Sequence, residues 1–239
     1  MVRFIPDFSQ RSTEREIMDG GEYTAEEARQ AYRDLRRVNK YLGGRAALLG
    51  HLMPLIAACS SRPVTILDIG TGSADIPQAV VRMARRRALD VRIVALDTNP
   101  LALEMARQEI AAFPEISLVR ADAFHLPFPD RSFDLVMASE FLHHLTTEEA
   151  VTFIRRLHRM ARVAFVINDL RRHPVPYYSF WLLSHLFTKN RLIRNDGLIS
   201  ILRGFTRRDV DDLRRRSGLR GLSTYFHFPY RIVIVGRHG

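Results

Sequence analysis

At 239 residues, with 46% hydrophobic and 26% charged side chains, the chain is long enough to bury a full core without metals or disulfides. Its single cysteine, Cys59, excludes an intrachain disulfide and any multi-cysteine zinc or iron–sulfur site, and no metal ligands are expected. A net charge of +10 raises nucleic-acid binding, but all but two of the 36 basic residues are arginine, and over 207–216 they alternate with acids as on solvated helix faces, so nucleic acid is not the expected partner.

The opening residues carry Asp7, Glu14, Glu16 and Asp19 and lack an apolar core, so neither a secretory nor a transit signal is expected and a cytoplasmic location is. Thr24-Ala25-Glu26-Glu27 predicts a helix start, and Asn39 to Gly44 a turn. The stripe Leu48, Leu49, Leu52, Leu55, Ile56 and Cys59 predicts a second helix. Residues 1–60 are therefore expected to form a helical lid before a main domain at 61–239. Five β-branched runs follow, at 64–68, 91–97, 116–122, 133–139 and 163–169, each ending in an acid or a hydroxyl. Helical stripes separate them, the last opened by a capping box at Thr146 to Glu149. Strands alternating with helices imply crossover units and a mainly parallel sheet covered on both faces, with ligands at the strands' carboxyl ends. Residues 171–205 form an aromatic insert with Tyr177, Tyr178, Phe180, Trp181 and Phe187. Its apolar run 175–187 is too short to span a membrane. A helix near Thr206 and a hairpin, 222–227 and 231–235, complete the pattern and supply an antiparallel strand to close the sheet.

The first strand runs into Asp68-Ile69-Gly70-Thr71-Gly72-Ser73-Ala74-Asp75, a glycine loop between strand and helix. Two glycines two apart let the backbone turn tightly and approach a ligand. A dinucleotide fingerprint would place a third glycine at 75; Asp75 there repels a pyrophosphate and disfavours a nicotinamide oxidoreductase. A triphosphate-binding loop is missing as well. The ligand of the loop should be neutral or cationic near the glycines.

The run 64–72 resembles the first motif of class I S-adenosylmethionine-dependent methyltransferases, and 126–136, Leu-Pro-Phe-Pro-Asp-Arg-Ser-Phe-Asp-Leu-Val, is similar to the approach to the fourth strand in their type 11 branch. Asp97 and Asp122-Ala123-Phe124 stand where that family has its ribose acid and its adenine pair. The resemblance covers about 64–169, departs at Ala74, where many members have a third glycine, and is loose over the first 60 residues and the insert. It implies a Rossmann-like seven-stranded, mainly parallel sheet with helices on both faces, and S-adenosyl-L-methionine as cofactor. It also implies a cofactor site made of Asp68, Gly70, Thr71, Gly72, Asp97, Thr98, Asp122, Ala123, Phe124, Ser139 and Glu140.

After the fourth strand come Glu140-Phe141-Leu142-His143-His144. The motifs that mark amine-directed DNA enzymes, cytosine-carbon enzymes and protein-arginine enzymes are missing here, which points to a small-molecule acceptor. His144 and His143 are the candidates for acid–base work, since imidazole titrates near neutral pH, and either one can instead be a strand cap or packing residue. Asp169, leaving the fifth strand, is the candidate to hold a hydroxyl of the substrate. The insert should cap an aromatic or lipid-like acceptor, and its arginines allow contact with an anionic membrane surface; an aromatic stretch of this kind also suits a homodimer contact. A phenolic, quinone or polyketide-like hydroxyl is the leading acceptor. An RNA- or DNA-directed methyltransferase and a non-catalytic cofactor-binding protein are the alternatives.

Overall fold

The β-branched runs become the strands of one sheet because their alternate residues are apolar on both faces, which only a covered sheet accommodates. In a computed structural model describing residues 6–238, the chain begins with α1 (Ile17–Gly20), α2 (Ala25–Tyr41) and α3 (Gly44–Ala58). The alternating region follows as β1 (Val64–Ile69), α4 (Asp75–Arg86), β2 (Val91–Asp97), α5 (Pro100–Glu109), β3 (Ile116–Arg120), β4 (Phe133–Ser139), α6 (Thr147–Met160) and β5 (Ala161–Leu170). The insert is two helices, α7 (Pro174–Phe187) and α8 (Arg191–Arg203), and the chain continues with α9 (Arg207–Ser217), β6 (Leu222–His227) and β7 (Arg231–Arg237).

The sheet has the order β3-β2-β1-β4-β5-β7-β6. The first five strands are parallel, and β7 runs antiparallel to both β5 and β6. The hairpin thus closes the sheet as expected, but with its second strand inside and its first at the edge. The strand expected to reach Asp122 stops at Arg120, which leaves Asp122 in the loop beyond.

Successive strand residues point to opposite faces and feed two separate cores. Ile66, Ile93, Met137 and Val166 pack with Leu52 and Ile56 of α3 and Val80 of α4. Leu67, Val136, Phe165 and Ile167 pack with Phe153 of α6 and Leu213 of α9 on the other side. Three capping boxes start helices, Thr24 with Glu27, Thr146 with Glu149 and Thr206 with Asp209; each helix opens where its hydroxyl takes up an orphan N–H.

The N-terminal segment and the insert lie together over the carboxyl ends of the strands. Asp196 of α8 accepts from the Ile17 and Met18 amides at 2.9 and 3.0 Å. Thr188 donates to Asp34 of α2 at 2.9 Å, and the Arg11 guanidinium donates to the carbonyls of His143, Leu145 and Arg203. Residues 1–5 of the expected lid lie outside the described residues. No described helix is long and apolar enough to cross a membrane.

Candidate active site

The carboxyl ends of β1, β2 and β4 open into a cleft of about 880 Å³ that the N-terminal helices roof over. All of the expected cofactor residues, Asp68, Gly70, Thr71, Gly72, Asp97, Thr98, Asp122, Ala123, Phe124, Ser139 and Glu140, line it, together with His143 and His144. Asp169 is not among the lining residues; it sits behind His143.

The glycine loop is forced by sterics. Gly70 has φ +73° and Gly72 +54°, and a Cβ on Gly70 would stand 2.6 Å from the Phe141 ring. Ala74 also has a left-handed φ of +59°, so the residue where relatives of the motif have glycine here tolerates mild strain. Asp75 is the first residue of α4, as the motif places it. The Gly72 amide donates to Asp97 Oδ2 at 2.9 Å, and the Asn99 amide to Asp97 Oδ1 at 2.9 Å, so the loop and the end of β2 are tied together.

Two buried polar atoms in the loop lack a partner, Asp68 Oδ2 and Thr71 Oγ1. Burial pushes the Asp68 carboxyl up to about 7 against the opposing pull of the nearby Thr71 hydroxyl, with Asp75 and Asp97 adding like-charge repulsion. Burial and the nearby Glu140 push Asp75 up to about 6. Carboxylates gathered and underpartnered around a glycine loop fit a ligand with a cationic end, and the orphaned acceptor of Asp68 fits an ammonium donor. Glu140, at φ +54°, is ion-paired to the buried Arg231 of β7, which also donates to the Leu42 carbonyl at 3.1 Å. At the adenine position Asp122 stands at the rim and accepts from the Phe124 amide at 2.9 Å and from His125 at 2.7 Å.

The two histidines divide. His143 is fully enclosed: Nδ1 lies 2.7 Å from Asp169 Oδ1 and Nε2 3.5 Å from Glu16 Oε1. Burial alone would lower its pKa, but the charges and hydrogen bonds of Asp169 and Glu16 overcome this and raise it to about 10. Asp169 is held below the usual carboxylate range by the same pair, against the penalty of burial. The two carboxylates on either side of the ring favour its protonated form. The pair braces the loop from behind the cleft wall, with the His143 amide also donating to Asp169 at 3.1 Å. His144 is half-exposed in the cleft, with Nδ1 3.3 Å from Asp19 and Nε2 4.0 Å from Glu16. The ligating atoms of Glu16, His143 and His144 lie within 4.8 Å of one another, as a metal site requires. The imidazole rings lie 4.2 Å apart and tilted by 34°, and Glu16 also accepts from Ser200 at 2.7 Å.

Sequence reasoning missed Glu16, Asp19, Tyr23, Tyr32, Asn39 and Ser200, all of which line the cleft. They come from the N-terminal helices and the insert, where charge, aromaticity or a lone polar side chain stood without a motif. A second pocket, of about 320 Å³, adjoins the cleft and shares Glu16, Met18, Leu35, Glu140 and Ser200 with it. Its other walls are mostly apolar, from Val38, Phe180, Leu183, Ile193, Phe228 and Pro229 among others.

A family model described as a methyltransferase domain matches residues 66–164. A demethylmenaquinone methyltransferase of Thermus thermophilus is 30% identical over 165 residues, 68% of this chain and 72% of that protein. A ubiquinone/menaquinone biosynthesis C-methyltransferase of an Enterobacter species is 31% identical over 149 residues, and there the chain spans only 56% of the relative's length. In three dimensions, human N-acetylserotonin methyltransferase in complex with S-adenosylmethionine superposes with a TM-score of 0.64 at 17% identity, covering 90% of this chain and 57% of that one. The likeness in three dimensions is one of fold, while the relatives in sequence agree on the activity. With the glycine loop and the unpartnered oxygen of Asp68 already fitting a ligand with a cationic end, these matches settle the family: the chain belongs to the class I S-adenosylmethionine-dependent methyltransferases, enzymes that take their methyl group from that cofactor.

Proposed function

We propose that the enzyme methylates the hydroxyl oxygen of an apolar phenol or hydroquinone. The observation that carries this reading is the apolar pocket between α2, α7, α8 and the β6–β7 turn, which meets the cofactor cleft at Glu16, Glu140 and Ser200. Such walls accept a ring with an apolar substituent, while polar groups at one point orient its hydroxyl. The quinone-type names of the relatives agree with it. In this reading residues 1–60 are the lid over the cofactor, and 171–205 cap the acceptor. Asp68 and Thr71 hold the ammonium end, the backbone at Gly70 and Gly72 approaches the cofactor's sulfur side, and Asp97 with Thr98 takes the ribose hydroxyls. Asp122, Ala123 and Phe124 meet the adenine, and Ser139 and Glu140 form the floor.

The cofactor supplies an electrophilic methyl group, which leaves sulfur as it bonds to the acceptor and yields neutral S-adenosylhomocysteine. The work of the chain is to align the acceptor, remove its proton and exclude water. With Nδ1–H donated to Asp19, His144 Nε2 takes the hydroxyl proton. His143 and Asp169 hold the His144 loop and fix Glu16 at the junction, as positioning residues. Tyr23, Tyr32 and Leu35 close the cleft from the lid side.

The test is incubation with cofactor labelled at the methyl carbon and a panel of hydrophobic phenols, hydroquinones, amines and RNA, with products read by NMR. A methoxy signal on a hydrophobic phenol or hydroquinone is expected, with His144→Gln lowering kcat by roughly a hundredfold or more while S-adenosylhomocysteine still binds. A ring-methyl product assigns the carbon beside the hydroxyl instead, the second reading, which the C-methyltransferase name of one relative favours; loss of the same proton makes that carbon nucleophilic. Turnover of amines or RNA alone overturns both.

A further inference from the structure

Helix α7 is apolar on every side, yet only Tyr177 and Ser184 are buried. An inner stripe that includes Phe180 packs on α8, where the Phe180 ring occupies the space of a Gly197 side chain. The remaining faces present Val175, Trp181, Leu182, Leu186 and Phe187 to solvent, the last two 68% and 80% exposed, and Phe228 of the β6–β7 turn adds a ring 91% exposed. A helix of this composition is ordinarily covered, and contiguous exposed apolar surface marks an interaction site.

We propose that this face docks onto an anionic lipid surface. Three observations select lipid over other covers. Val175, Leu183 and Phe228 are exposed and at the same time line the apolar pocket, so the patch surrounds the pocket's mouth, and an acceptor dissolved in lipid enters without crossing water. The exposed charge of the insert is basic: Arg171 precedes α7, and Lys189, Arg191 and Arg194 follow it, Arg191 also pairing with Glu27, while Arg172 and Arg203 are turned into the fold and the insert's one acid, Asp196, is buried. Those cations flank both ends of α7, so a second copy packed on this face in either direction sets like charge against like charge. At 14 residues, about 21 Å, the helix lies in an interface and does not cross it. Only the delivery of acceptor rests on the phenol reading above; docking itself does not.

Trp181, the chain's sole tryptophan, is on this face and reports its environment directly. The full chain is titrated with vesicles of phosphatidylcholine alone and of phosphatidylcholine mixed with phosphatidylglycerol, followed by tryptophan emission and co-sedimentation at low and high salt. The expected result is a blue shift with sedimentation on the mixed vesicles, weakened by salt. Leu186→Glu combined with Phe187→Glu lowers partitioning roughly a hundredfold and Lys189→Glu roughly tenfold, with Tm and S-adenosylhomocysteine binding unchanged. Both sites are exposed and outside either pocket, so folding is not at stake. No blue shift on either vesicle, or equal partitioning onto both, overturns the proposal. So does a concentration-dependent dimer that the double variant dissolves while vesicles remain unbound, which assigns the face to a second copy. Vesicle binding with no methylated phenol sinks the acceptor reading alone.

Discussion

Asp68 is a carboxyl kept where it does not ionise easily, with one oxygen unpartnered, in the middle of a methyl-transfer site. Folding raises its pKa from 3.8 to about 7, so in the ligand-free chain its contribution to stability is present at low pH and is lost as pH rises through about 7. A cofactor ammonium needs the ionised form, so affinity for S-adenosylhomocysteine should rise over the same interval, which calorimetry at several pH values measures. Asp68→Asn is expected to raise the Tm of the ligand-free protein at neutral pH while weakening cofactor binding roughly tenfold or more. Asp97→Ala should weaken it by about 1–3 kcal/mol, from loss of the ribose bonds proposed for it and from release of the Gly72 amide that Asp97 holds. His143 shows the opposite sign to a depressed carboxyl: its pKa goes from 6.5 to about 10, so its stabilisation is complete below about pH 6.5 and lost as pH rises through about 10. Tm measured from pH 6 to 10 should fall for the parent and be flatter for His143→Gln; equal slopes would refute the buried imidazolium.

At the scale of elements, the strands and their terminal residues were readable in the sequence, because a parallel sheet needs apolar runs and the cofactor needs polar groups at their ends. Asp68, Asp97 and Ser139 all close such runs. The sites of Asp122 and Asp169 were only half legible: the first lies past the end of β3, and the second faces a histidine that no local pattern connects to it. Glu16 was invisible because its partner is 127 positions away and pairing of that kind leaves no local period. Nor does composition tell which side of an apolar helix is covered, so α7 could be read as a cap but not as one with an open outer face. The α7–α8 contact makes a prediction of its own. A Cβ at Gly197 would stand 2.2 Å from the Phe180 ring, so Gly197→Ala must displace a wall of the apolar pocket. The KM for acceptor should rise by roughly tenfold with cofactor affinity unchanged, a split that titration and steady-state kinetics resolve.

For the molecule as a whole, N-terminal helices, insert and sheet meet at one junction, and Tyr23, Tyr32 and Leu35 wall the cleft on the helical side, so the lid proposed above should tighten over a bound cofactor. Hydrogen exchange in α1 and α2 should therefore slow on addition of S-adenosylhomocysteine, and that in the outer turns of α9 should not. The position of β7 governs when all of this can assemble. It lies between β5 and β6 and supplies Arg231 to the loop that holds Glu140. On a ribosome, β6 emerges first and finds no strand to pair with, while β5 waits with an open edge. The sheet, and the brace on Glu140, are completed only when Arg231–Arg237 pairs between them, so that edge of β5 stays open until the end of β7 has been made.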